Sequence, residues 1–113
     1  MKFLPQRFAI ASFGNGGFRF GDHSHFGNLL VLPSGMSAWD GVDFSMMFAE
    51  RAQIDFVVLG TGAQMVRPLK ATMNLFAEQN LQFDFMSTSS AVHVYNQVLS
   101  EGRRVAAAFL AFT

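Results

Sequence analysis

The apolar positions divide the chain into a front of short alternating pieces and a back in which continuous apolar runs alternate with amphipathic ones. Residues 8–13 and 17–20 are β-favouring pieces separated by Gly14, Asn15 and Gly16, which tolerate the positive φ of a tight turn, and they predict a hairpin. Residues 28–32 predict a further strand, closed by Pro33, Ser34 and Gly35, with residues 36–39 as another extended piece. From Asp43 the period changes. Phe44, Phe48 and Ala52 recur four apart and Met47 widens their face, which predicts a helix over residues 44–52 capped by Asp43. Residues 54–60, IDFVVLG, form the nearly continuous β-branched and aromatic run expected of a central strand covered on both faces.

Pro68 suits the first turn of a helix running to Glu78, with Leu69, Met73, Phe76 and Ala77 on its inner side and Asn80 as its terminator. A short strand is predicted over residues 83–86. A hydroxyl within residues 87–89 then caps a helix whose Val92, Tyr95, Val98 and Leu99 share a stripe, and Gly102 supplies the left-handed stop. Residues 105–112 are apolar on both faces and belong inside a sheet rather than at its edge. A β-rich front followed by strand, helix, strand, helix, strand predicts an α/β fold, a mixed sheet covered by helices.

Composition narrows the function classes. At 113 residues one domain, residues 1–113, is expected. Lys and Arg total 8 and Asp and Glu total 8, so there is no net positive field and no nucleic-acid partner is expected. Without cysteine there is no disulfide, thiolate nucleophile or cysteine-ligated metal, and a cytoplasmic location fits. Pro5, Gln6 and Arg7 interrupt the start before a secretory apolar run develops, so no signal peptide is expected. The longest apolar run, residues 105–112, is 8 residues, too short for a transmembrane segment. The 14 phenylalanines and 7 methionines exceed what so small a core is expected to enclose. Some should line a surface, which points to a homodimer and a protein partner; a Phe-dense core is the competing explanation.

No motif spells out a reaction. GTGAQ, residues 60–64, follows the central strand at its carboxyl end, where open α/β sheets place ligands, and its glycines suit a backbone turned toward an anion. It has neither a Walker lysine nor a GxGxxG pattern, so a structural turn is the plainer reading. The hydroxyls of residues 87–90 also lie between strand and helix and converge with the GTG loop on one crevice, although capping alone explains them. Asp84 and His93 flank that cluster without a GxSxG elbow, which argues against a serine hydrolase. His23 and His25 alternate beside Asp22 in what reads as a Gly/Ser-rich turn, and no metal site is expected of them. Arg103 and Arg104 suit the helix end, with Glu101 as local partner for one of them, and Asn96 suits equally a tie between its helix and a neighbouring loop or a place facing water.

Three blocks, residues 17–39 (GFRFGDHSHFGNLLVLPSGMSAW), 56–64 (FVVLGTGAQ) and 87–110 (STSSAVHVYNQVLSEGRRVAAAFL), carry a family resemblance. The chain resembles the Mth938-like proteins, largely uncharacterised prokaryotic α/β proteins that also include a mitochondrial complex I assembly factor and an adipogenesis-associated protein. The resemblance implies three layers around a central mixed sheet whose last strand is antiparallel to the others. It brings no established activity and no cofactor. The family crevice maps to Gly60, Thr61, Gly62, Thr88, Ser89 and Asn96 as candidate ligand-binding residues. The expected function is a non-catalytic binding or assembly module, favoured on these residues over an enzyme; the alternative is a small-ligand-binding protein or minor enzyme using the crevice between residues 60–62 and 87–89. Membrane-proximal assembly work follows only from the mitochondrial relative.

Overall fold

A computed structural model describes residues 4–113; Met1, Lys2 and Phe3, the start of the stretch read above for a leader, lie outside the described residues. Strands β1 (Ser12–Gly14), β2 (Gly17–Phe20) and β3 (His23–Phe26) form a small antiparallel sheet. Strands β4 (Leu29–Leu32) and β5 (Gly35–Ala38) follow as a hairpin, then helix α1 (Ser45–Ala49) and a 3-10 turn (Arg51–Gln53). The chain continues through β6 (Phe56–Gly60), α2 (Lys70–Glu78), β7 (Phe83–Met86), α3 (Thr88–Ser100) and β8 (Val105–Phe109). The main sheet has the order β5-β4-β8-β6-β7.

Successive side chains on a strand point to opposite faces, and here both faces are dry. Leu29, Val31, Val58, Ala107 and Phe109 join Val92 and Tyr95 of α3 and Phe18 and Phe20 of the small sheet in one core. The alternate residues Leu30, Leu32, Val57, Leu59, Ala106 and Ala108 join Phe44, Met47 and Phe76 in the other. This gives three layers, with α3 and the small sheet on one face and α1 and α2 on the other.

The expected direction of the last strand holds on one side only. β8 is antiparallel to β4 but parallel to β6. Its connection explains this: α3 carries the chain from the end of β7 back to the start of β8, and such a helical crossover delivers parallel strands. The strand that opposes its neighbours on both sides is β4, because tight hairpin pairing with β5 reverses it.

Several local expectations also shift. Residues 8–11 are not strand, and residues 23–26, read as a solvated turn, are β3; there His25 is buried, its Nε2 2.9 Å from the Asn28 carbonyl, while His23 lies against Phe8 and Phe20. The helix expected over residues 44–52 is a single short turn, because Asp43 binds only the Ser45 N–H before the chain tightens into the 3-10 turn. Pro68 stands before α2 rather than in its first turn, and Leu69 and Ala77, assigned to its inner side, are exposed. The stops are as expected: Asn80 and Gly102 take positive φ, and the Ser87 hydroxyl accepts from the Ser90 N–H to cap α3. Arg104 pairs with Asp55 across the sheet end instead of with Glu101, and Arg103 stacks over Phe56.

β7 is an edge strand. The Gln82 and Met86 carbonyls accept from Val57 and Thr61, so the alternate residues Phe83 and Phe85 turn their backbone groups outward. The outward Phe85 N–H is held by the Asp84 carboxylate at 3.1 Å.

Tyr95, the one tyrosine, is fully buried and donates its hydroxyl to the Phe8 carbonyl at 2.7 Å. Burial pushes its phenol above the ordinary tyrosine range, with Arg7 opposing. Above about pH 10 the unfolded chain releases this proton while the folded chain keeps it, so stability should fall by up to about 1.4 kcal/mol for each further pH unit. In urea titrations from pH 9 to 11, about that slope should disappear in Tyr95→Phe, which should also be about 1 kcal/mol less stable at neutral pH.

Candidate functional site: an apolar groove at the strand ends

The carboxyl ends of β6 and β8 open into a groove of about 350 Å³, within the usual range of ligand pockets. Leu59, Gly60, Ala108 and Leu110 form its floor, which Trp39, Val42 and Phe44 flank on one side and Val66, Arg67, Leu69 and Thr72 on the other. The sheet places the floor, since β6 and β8 run parallel and end together.

Each wall is built by short polar ties. The Asp40 carboxylate accepts from the Asp43 and Val42 N–H groups, both at 2.8 Å, and these bonds hold it below the usual carboxylate range. The Trp39 indole N–H donates to the Asp43 carbonyl, fixing the ring against the groove. Opposite, the Thr61 hydroxyl accepts from the Val66 N–H and lies 2.7 Å from the Gln64 carbonyl, to which it donates. The rim is apolar and open: Val42 is 77% exposed, Val66 59% and Leu69 77%. Arg67 is the one charged side chain among the lining residues. These residues offer apolar surface and a guanidinium, with no carboxylate, imidazole or thiol among them, so the arrangement is suited to binding.

The structure separates the six candidate residues. Gly60 and Thr61 line the groove. Gly62 and Thr88 lie behind it and clasp one another: the Thr88 hydroxyl accepts from the Gly62 N–H at 2.9 Å, and the Thr88 N–H donates to the Gly62 carbonyl at 2.8 Å. The same hydroxyl donates to the Leu110 carbonyl at 2.6 Å, while the Thr61 N–H goes to Met86. The loop amides proposed for an anion are therefore engaged, and the Thr88 side chain occupies the space between the two loops. Ser89 faces away, in a shallow depression with Phe13, Ser90, His93 and Val94. Asn96 brackets Ile10, accepting from its N–H at 2.8 Å and donating to its carbonyl at 2.9 Å, which decides for the loop tie over a place facing water.

Asp84 is engaged at the β7 edge, and no hydrogen bond joins His93 to a serine among the described residues. Nor, among those residues, do three His, Cys, Asp or Glu side chains gather as a metal site. Sequence reasoning missed Trp39, Val42, Val66 and Arg67. The available signal was MVRPL, residues 65–69, three large apolar residues in a stretch with no helix or strand period.

The three-layer α/β fold is that of Mth938-like domains. The fold matches the solution structure of a Mth938-like domain from Bordetella pertussis at a TM-score of 0.75 and 17% identity, covering 97% of this chain and 92% of that one. The chain belongs to the family described as protein of unknown function (DUF498/DUF598), whose profile matches residues 10–110. The crystal structure of an outer membrane protein from Bartonella henselae is similar at 37% identity and a TM-score of 0.92, covering 96% of this chain and 98% of that one. A relative in Rattus norvegicus, NADH dehydrogenase (ubiquinone) 1 alpha subcomplex assembly factor 3, is 25% identical over 115 residues, covering 95% of this chain. The chain spans 62% of that relative's length.

A β-carbon on Gly60 would meet the Thr88 hydroxyl at 2.9 Å, its α-carbon at 3.0 Å and Phe109 at 3.1 Å. Gly60→Ala should therefore cost about 1–3 kcal/mol through overpacking. Thr88→Val, close in shape, leaves the Gly62 N–H and Leu110 carbonyl without their partner and should cost about 1–3 kcal/mol. Equilibrium urea unfolding measures both; unchanged midpoints would show the clasp to be dispensable.

Proposed function

We propose that this protein is a non-catalytic binding or assembly module, a single domain over residues 1–113 that acts through protein–protein contacts made by the groove and its rim. The observation that carries this is the convergence of exposed Val42, Val66 and Leu69 on one groove. Contiguous apolar surface rimming a cleft is characteristic of an interaction site, whereas scattered exposed residues are ordinary. A family relative named as an assembly factor supports the same reading. The Thr88 clasp counts against the alternative of a small ligand held between residues 60–62 and 87–89. No helix among the described residues is long and apolar enough to cross a membrane, and a cytoplasmic place of action is part of the proposal.

The proposal includes a homodimer, supported by Phe26, 80% exposed on the face of the small sheet opposite the buried Phe18 and His25. Light scattering after size exclusion should give a dimer mass that Phe26→Asp reduces to a monomer; a monomeric parent would remove this element.

Native-cell crosslinking with mass spectrometry tests the binding role. Val66→Asp and Leu69→Asp alter exposed side chains and should change stability by no more than about 0.5 kcal/mol. They should nevertheless remove the crosslinks formed by groove residues. Persistence of those crosslinks in both variants would refute the assignment of this surface.

A further inference from the structure

Resting on that binding role, we propose that the groove recognises an acidic, apolar linear segment of its protein partner: a large apolar side chain on the floor, with an Asp or Glu nearby paired to Arg67.

The charge distribution favours this occupant. Arg67 is the one ionic group in the lining, and Lys70 follows it in sequence as the first residue of α2. Neither is in the one salt bridge among the described residues, which joins Arg104 to Asp55. The carboxylates of the opposite wall, Asp40 and Asp43, are turned to the backbone N–H groups of their own loop. That leaves the Arg67 wall positive, in a protein whose formal net charge is zero. A basic segment would place like charges together as the groove dehydrates. A wholly apolar one would strip water from the guanidinium without replacing its partners. A carboxylate offers the planar pair of acceptors that the guanidinium fork matches.

The rim decides between a macromolecule and a small carboxylate. Val42 and Leu69 are each 77% exposed, and their apolar surface reaches outside the 350 Å³ trough. A small amphipathic acid would fill the floor and leave that rim in water, whereas a peptide covers both.

Phage display of random seven-residue peptides on the immobilised full chain supplies the probes. Selected peptides are then titrated against the fluorescence of Trp39, the one tryptophan, which lines the groove. The selection should enrich peptides with an apolar residue near Asp or Glu. Replacing that acid by its amide, or making Arg67→Glu, should weaken binding about tenfold, and a lysine-bearing peptide should regain affinity for Arg67→Glu. Val66→Asp should weaken every selected peptide. Thermal melting of Arg67→Glu should match the parent, since the side chain is exposed.

Peptides that depend on Val66 but show no acidic preference and ignore Arg67→Glu would overturn this inference while leaving the binding role standing. Failure to select any Val66-dependent peptide would also overturn it, and the crosslinking experiment would then judge the binding role separately. Decanoate quenching Trp39 in an Arg67-dependent manner, with no peptide selected, would replace the peptide by a small carboxylate and overturn it too.

Discussion

The structure depends on β8 being paired on both edges and covered on both faces. It hydrogen-bonds to β4 on one side and β6 on the other, and all five of its residues are buried. Ala106, Ala107 and Ala108 take almost no room above or below the sheet, so the large side chains come from the covering layers: Phe18 and Tyr95 on one face, Phe44 and Phe76 on the other. Phe109, the bulky end of the strand, is contacted by the rings of both Phe18 and Tyr95. Small residues at the centre and aromatic ones around it are thus two halves of one packing solution.

That solution accounts for much of the aromatic excess. Of the 14 phenylalanines, Phe3 lies outside the described residues, and of the others only Phe13 and Phe26 are exposed. Among the described residues, exposed phenylalanine is therefore confined to the small sheet. At the groove the open residues are Val42, Val66 and Leu69. Composition pointed to exposed phenylalanine and methionine, which Phe13, Phe26, Met46 and Met65 supply, but not to the valine and leucine of the groove rim, because it carries no information on how thin the central strand is.

The strands and helices of the back half were legible where a period was sustained. The run ending in Gly60, the stripe of α3 and the Gly102 stop each combine pattern with a local signal, and each stands in the structure. The front was harder. HSHF, residues 23–26, has strand alternation, but two histidines and a serine disguise it as a loop, and only pairing with β2 reveals it. The groove was the least legible part, because it joins residues 39–44, 59–61, 66–72 and 108–110, which lie in no common motif. The marked residues Gly62, Thr88 and Asn96 hold loops together instead. Their polar groups were correctly seen as needing partners, but those partners are backbone groups of this same chain.

The Asp84 carboxylate has a consequence for assembly in a crowded cell. β7 ends the main sheet with outward-facing backbone, the geometry onto which a foreign strand can add without limit. Asp84 already occupies the Phe85 N–H and sets a negative charge on that border. Two such borders brought together would oppose like charges and compete for one donor. A protein that displays an oily trough thus carries a guard against open-ended strand addition at β7, one of the two edges of its main sheet.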